Sequence, residues 1–182
     1  VLNRVVHQIY PNSPLIISHS MSSGYYFFFR NQHHMSGEVL KEIETGLRDI
    51  INQDLPISQD FVSYQDALYH FENRGQWETR ELLEFRNDSQ IAVFKLDDFF
   101  DLAHSPLVHR TGLLEHFEIL PFQDGFFLRY PNRNDPEKVP PFRENPSLFS
   151  IYADHKDWGK RVSVETVGRL NRLVQNRSVK EF

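Results

Sequence analysis

Apolar and polar positions alternate in two different periods along this chain. "PLIISHSM" (Pro14–Met21) and "YYFFFR" (Tyr25–Arg30) are rich in β-branched and aromatic residues and flank a Ser-Ser-Gly turn, which predicts a β-hairpin. From Ser36 the period lengthens. Val39, Leu40, Ile43, Leu47, Ile50 and Ile51 recur every three or four residues with charges between them, predicting a long helix that "DLP" stops at Pro56. "ISQDFVSY" alternates as a strand, and Asp66–Glu72 and Glu78–Phe85 predict two short helices divided at Gly75. Further strands are expected at Gln90–Leu96, Leu113–Leu120 and Gly125–Tyr130, the last two joined through Pro121–Asp124.

Residues 131–146 hold half of the chain's ten prolines and predict no regular element. "PSLFSIYADHKDWGKR" predicts a helical turn. Ser163 is expected to open a final helix with Val164, Val167, Leu170 and Val174 on one face. The opening "VLNRVVHQIYP" reads as the end of a helix already under way, with Pro11 past its end. With no initiator methionine, this implies a piece of a longer protein. Strands and helices without regular βαβ alternation predict an α+β fold, an antiparallel sheet with packed helices.

Composition narrows the function classes. The 182 residues can bury a substantial core, and 40% hydrophobic with 25% charged residues is ordinary for a folded domain. Sixteen phenylalanines make that core aromatic. A net charge of −5 provides no global field for nucleic acid. The absence of cysteine excludes disulfides, thiolate ligands and a cysteine nucleophile within these residues, and it fits a cytoplasmic location. No apolar run approaches the roughly 18 residues of a membrane span, so no membrane partner is expected.

"DLAHSPLVHRTG" (Asp101–Gly112) gathers an aspartate and two histidines, the raw material of a metal site or an acid/base pair. His104 and His109, five residues apart around Pro106, could bind a ligand, but no third or fourth metal ligand stands at fixed spacing nearby. Exposure or backbone hydrogen bonding is the expected state of such loop histidines, and no metal is expected. "QHH" (Gln32–His34) is expected to be a hairpin-to-helix loop. Arg129, Arg133, Lys138 and Arg143 punctuate the proline-rich arm, with Tyr130 and Phe142 between them. They suit an anion or RNA contact, or else ion pairs with Asp135, Glu137 and Glu144, which the nearby acids favour. The Tyr25–Phe29 run is expected to pack as core on one face and as an interdomain surface on the other.

Several of these stretches, in order, resemble the second additional domain of threonyl-tRNA synthetases, the editing domain shared with alanyl-tRNA synthetases. They are "YPNSPLIISHSMSSGYYFFF", "LKEIETGLRDIINQDLPISQDFVSYQDALYHF" and "DDFFDLAHSPLVHRTG", within roughly residues 1–120. The last is similar to that family's D-F-x-D-L-C-x-G-P-H-V-x-x-T-G. The resemblance places Ala103 and Leu107 where the family has cysteine and histidine. Neither can bind a metal, activate water or shuttle a proton. Asp101 persists as a remnant. The family's H-x-x-x-H, aligned through Pro11, falls just before Val1, with His7 out of register, and its lysine corresponds to Thr79. The implied site has lost its chemistry, and no catalytic residue is assigned.

"FFLRYPNRNDPEKVPPFRENPSLFSIYADHKDWGKRVSVETVGRLN" resembles instead bacterial uridine kinase-like proteins, in which such a domain precedes a P-loop kinase. No G-x-x-x-x-G-K-[ST] occurs in this chain. Gly159 and Gly168 lack the lysine and hydroxyl that would grip phosphate and magnesium. The resemblance therefore implies an editing-domain-like region over 1–130. An arm and C-terminal helix over 131–182 would lead to a kinase domain, the expected partner, and ATP and Mg would bind there and not here. An active deacylase and an RNA-binding module are the alternatives.

Overall fold

A computed structural model describes residues 1–182 except 22–23, 31–34, 87, 103–105, 143–145, 163, 165–166 and 177–182. Its fold is α+β with antiparallel sheets and packed helices, as the patterning predicts. The residues group into two compact units, each discontinuous in sequence: 1–62 with 92–142, and 63–91 with 143–182.

In the first unit, helix α1 (Leu2–Ile9) is followed by strands β1 (Leu15–Met21) and β2 (Gly24–Phe29), paired antiparallel as the expected hairpin. Helix α2 (Gly37–Asn52) starts where the pattern placed it, with Ser36 Oγ accepting the Val39 N–H at 3.3 Å as an N-cap. Strands β3 (Ser58–Ser63), β4 (Gln90–Leu96) and β5 (Phe99–Asp101) form one small sheet in that order. The β4–β5 turn carries Asp97 at φ 53°, a conformation that aspartate tolerates. Strands β6 (Glu118–Phe122) and β7 (Gly125–Arg129) complete a larger sheet, ordered β1-β2-β7-β6.

The aromatic run of β2 buries both of its faces. Phe27, Phe29 and Phe126 join Val5, Val6, Ile43 and Leu47 in the core shared with α1 and α2. Tyr26 points the other way and packs against Phe122 and Phe127, and Phe127 in turn meets Phe142 of the arm. The second face is thus covered from within this unit. Two glycines permit close approach. A Cβ at Gly46 would stand 2.7 Å from Val5 Cγ1 between α1 and α2, and one at Gly125 would stand 2.0 Å from the Phe27 carbonyl.

The second unit contains helices α3 (Tyr64–Asn73), α4 (Trp77–Leu83), α5 (Pro146–Arg161) and α6 (Val167–Gln175). Ala67, Phe71 and Leu83 are fully buried, and the Tyr64 hydroxyl donates to the Leu83 carbonyl at 3.1 Å. Gly75 divides α3 from α4 at φ 64°. Helix α6 packs on α4 through Gly168, where a Cβ would stand 2.8 Å from Glu81 Cβ. Arg172 secures the pair, donating to Glu84 at 2.9 Å.

Three expectations need correction. Leu113–Leu120 is not one strand: Thr111–Leu114 is a 3-10 turn, and β6 begins at Glu118 and runs through Pro121 to Phe122. Backbone tethers explain it. Thr111 N–H donates to the Leu55 carbonyl at 2.9 Å, and Arg48 takes the carbonyls of Glu115 at 2.7 Å and Phe117 at 3.3 Å, acceptors that a ladder would otherwise use. Pro121 is tolerated because β6 is an edge strand. Second, 146–161 is a full helix, with its proline at the first position where no N–H is missed. Third, the described part of the last helix begins at Val167, and Val167, Leu170 and Val174 are exposed; the residues turned toward α4 are Gly168 and Arg172.

Candidate functional site

Asp101, which the resemblance sets against the aspartate of the synthetase motif, ends β5 opposite Phe94. Its carboxylate is engaged inside the fold. Asn3 Nδ2 donates to Oδ2 at 2.5 Å, and the Leu102 N–H donates to Oδ1 at 2.8 Å. At the next residue of α1, Arg4 pairs with Asp97 at 2.8 Å. His7 of the same helix lies with its ring 6.2 Å from that of Phe99. Sequence reasoning missed Asn3 and Arg4, because a polar residue on the first turn of a short helix reads as solvent-facing. Together they fasten α1 to the β4–β5 hairpin.

Leu107 is 47% exposed and offers no polar atom. His109 is exposed, and its carbonyl accepts the Ile57 N–H at 2.8 Å. Ala103, His104 and Arg143 lie outside the described residues, as does Gln32–His34. Thr79 is half-buried on α4. Among the described residues, no three histidine, aspartate or glutamate side chains come together as a metal site.

The T-G of the motif has a structural task. Thr111 is fully buried; its Oγ1 accepts the Leu55 N–H at 2.8 Å and donates to the Ile50 carbonyl at 2.8 Å. The Gly112 N–H donates to Asp54 Oδ1 at 3.1 Å. These bonds close the end of α2 and fix where the following chain starts.

The arginines of the arm part company. Arg129 is 3% exposed; its guanidinium donates to Glu118 and to the Pro140 carbonyl and lies 5.2 Å from the Phe142 ring centroid. Arg133 is exposed instead, at the mouth of a cavity of about 400 Å³. That cavity is walled by Val1, by Leu47 and Ile51 of α2, by Leu113, Leu114, His116 and Phe117, by Leu128, and by Tyr130–Arg133 and Pro136 of the following loop. Tyr130 packs on Tyr25, with ring centroids 6.0 Å apart. Partial burial, then the neighbouring Tyr25, push its phenol above the ordinary tyrosine range, so it stands there as a neutral hydroxyl.

No family model matches the chain. Threonine–tRNA ligases do align with it. That of Carboxydothermus hydrogenoformans is 29% identical over 121 residues, 66% of this chain and 19% of the ligase. The Rubrobacter xylanophilus ligase is 29% identical over 149 residues, 82% and 21% of the two chains, and that of Finegoldia magna 23% over 166 residues, 90% and 26%. This chain is similar to one part of a threonine–tRNA ligase. It spans about a fifth to a quarter of the length of those relatives. The alignment agrees with the resemblance carried by the sequence words, and the α+β fold is consistent with an editing-domain-like region.

Proposed function

We propose that this chain is an editing-domain-like module of a threonyl-tRNA synthetase-like protein, one that holds a tRNA acceptor end without hydrolysing its ester. The observation that carries the reading is the alignment with threonine–tRNA ligases over two-thirds to nine-tenths of the chain. The lack of hydrolysis rests on Ala103 and Leu107, which supply no group able to activate water. Asp101 supports it as well, because its carboxylate already serves Asn3 and the Leu102 N–H. The test uses mischarged threonine-acceptor tRNA. Saturable binding in a gel shift, with no multiple-turnover deacylation above background, is the expected result. Turnover that disappears in Asp101→Asn would establish an active deacylase instead.

A second reading concerns the parent protein. The words over residues 126–171 resemble uridine kinase-like proteins, which favours a parent that phosphorylates a nucleoside with ATP and Mg in a separate domain. Trp158 on α5 and Leu170 on α6, 55% and 48% exposed, would then suit a docking face for that domain. Hydrogen exchange compares the two cases. Slower exchange across α5 and α6 in the full-length protein than in the 182-residue chain, with α2 unchanged, is the outcome this reading requires.

A further inference from the structure

We propose that the cavity beside α2 binds one small amphipathic anion, with its oxyanion head on Arg133 and its apolar body against Leu47, Ile51, Leu114, Phe117 and Leu128. This goes beyond the acceptor-end reading and does not depend on it. Size is the first argument. The cavity's volume of about 400 Å³ lies within the range of small-molecule sites, roughly 300–1,000 Å³.

Charge is the second. Among the side chains lining the cavity, Arg133 is the fixed cation, and none is an aspartate or glutamate. That is a local reversal in a chain of net charge −5. Arg133 makes no ion pair or hydrogen bond with the described residues, whereas Arg48, Arg110 and Arg129 are each matched to an acid. Its guanidinium keeps a full set of donors for an incoming oxyanion. Asn132 adds to the same polarity. Its Oδ1 accepts the N–H groups of Asn134 at 2.9 Å and Asp135 at 3.0 Å, so its side chain faces a ligand with N–H donors only.

Preorganisation is the third argument. Those Asn132 bonds shape the turn that carries Arg133, so the cation sits on a closed loop and not on a free arm. On the opposite wall, Arg48 takes the carbonyls of Glu115 and Phe117 and lies 3.9 Å over the Phe117 ring. Little ordering remains for a ligand to cause, which favours affinity from a modest apolar contact.

The head could be a carboxylate or a phosphate monoester, and matched eight-carbon probes separate them. Octanoate, octyl phosphate and octylamine are titrated into the full chain while amide shifts are followed. At least one anion should bind at a single saturable site, with shifts gathered over residues 47–51 and 113–136, and octylamine should not. Tighter binding of octyl phosphate than of octanoate assigns a phosphate head, and the reverse a carboxylate. Arg133→Gln should weaken the anion about tenfold or more, the scale of a lost charge-assisted hydrogen bond, without moving shifts elsewhere. Leu114→Trp, which fills the cavity, should abolish binding. Dissociation constants above about 1 mM for both anions, equal binding of octylamine, or an unaltered affinity in Arg133→Gln would each overturn the proposal.

Discussion

Arg110 holds Asp54 by both its side chain and its backbone: Nε donates to Oδ2 at 2.8 Å, and Nη2 donates to the Asp54 carbonyl at 2.8 Å. Asp54 sits at φ 48°, just past the end of α2, so this grip sets the direction in which the chain leaves the helix. The Arg110 hydrogen bond, helped by the Gly112 N–H and opposed by partial desolvation, holds the Asp54 carboxyl below its usual range. A carboxylate with a depressed folded pKa contributes stability above its unfolded value, near pH 4. That contribution disappears as pH falls through the folded value. Wild type should therefore melt above Asp54→Asn at pH 6, and the gap should close in acid. It should also shrink in high salt, because both groups are about half exposed. A gap independent of pH from 6 to 3 would assign the effect to shape and not to charge.

Thr111→Val should cost about 1–3 kcal/mol, because it leaves the Leu55 N–H and the Ile50 carbonyl without their buried partner. Thr111→Ser keeps the hydroxyl and should recover most of the loss. Urea midpoints with unchanged slopes would measure both. Equal midpoints for valine and wild type would show that water or backbone shifts satisfy those groups.

Gly125→Ala and Gly37→Ala should move stability in opposite directions. The first places a Cβ 2.0 Å from the Phe27 carbonyl, inside the β2–β7 ladder, and should leave little folded protein. The second meets nothing within 4 Å at the first residue of α2 and should stabilise by several tenths of a kcal/mol through helix propensity. Thermal melts of the two variants decide it.

Asp101→Ala should lower stability by about 1 kcal/mol, the ordinary scale of a hydrogen bond, while tRNA deacylation stays at background. Asn3→Ala should cost a similar amount, and the double variant little more than either, since the two side chains share one contact. Additive losses would mean that each acts elsewhere.

What the sequence made legible follows from where the determining forces lie. Helix α2 was readable because its cap, its apolar stripe and its stop signal are all local. The β1–β2 hairpin was readable for the same reason, and the motif words located Asp101 and Leu107. The break at Leu113–Phe117 was hidden, because its causes, Arg48 and Leu55, lie about sixty residues away along the chain. The cavity was hidden too. Its walls come from α2, the 3-10 turn, β7 and the arm, and no spacing in the sequence brings Leu47 to Arg133. The full length of helix α5 was hidden, and only a turn of it was expected, because its charged and apolar residues follow no clear stripe; the exposed face of α6 mimicked a core face.

The discontinuity of the second unit has a consequence for synthesis. Helix α4 is translated well before its packing partner α6, and Arg172 follows Glu84 by 88 residues. At 5–20 residues per second, Glu81 and Glu84 wait roughly 4 to 18 seconds for their cation. Through that interval α4 lacks α6, the helix that packs on it. A ribosome pause within residues 92–142 would lengthen the interval, so codon choice in that stretch bears on the yield of folded chain.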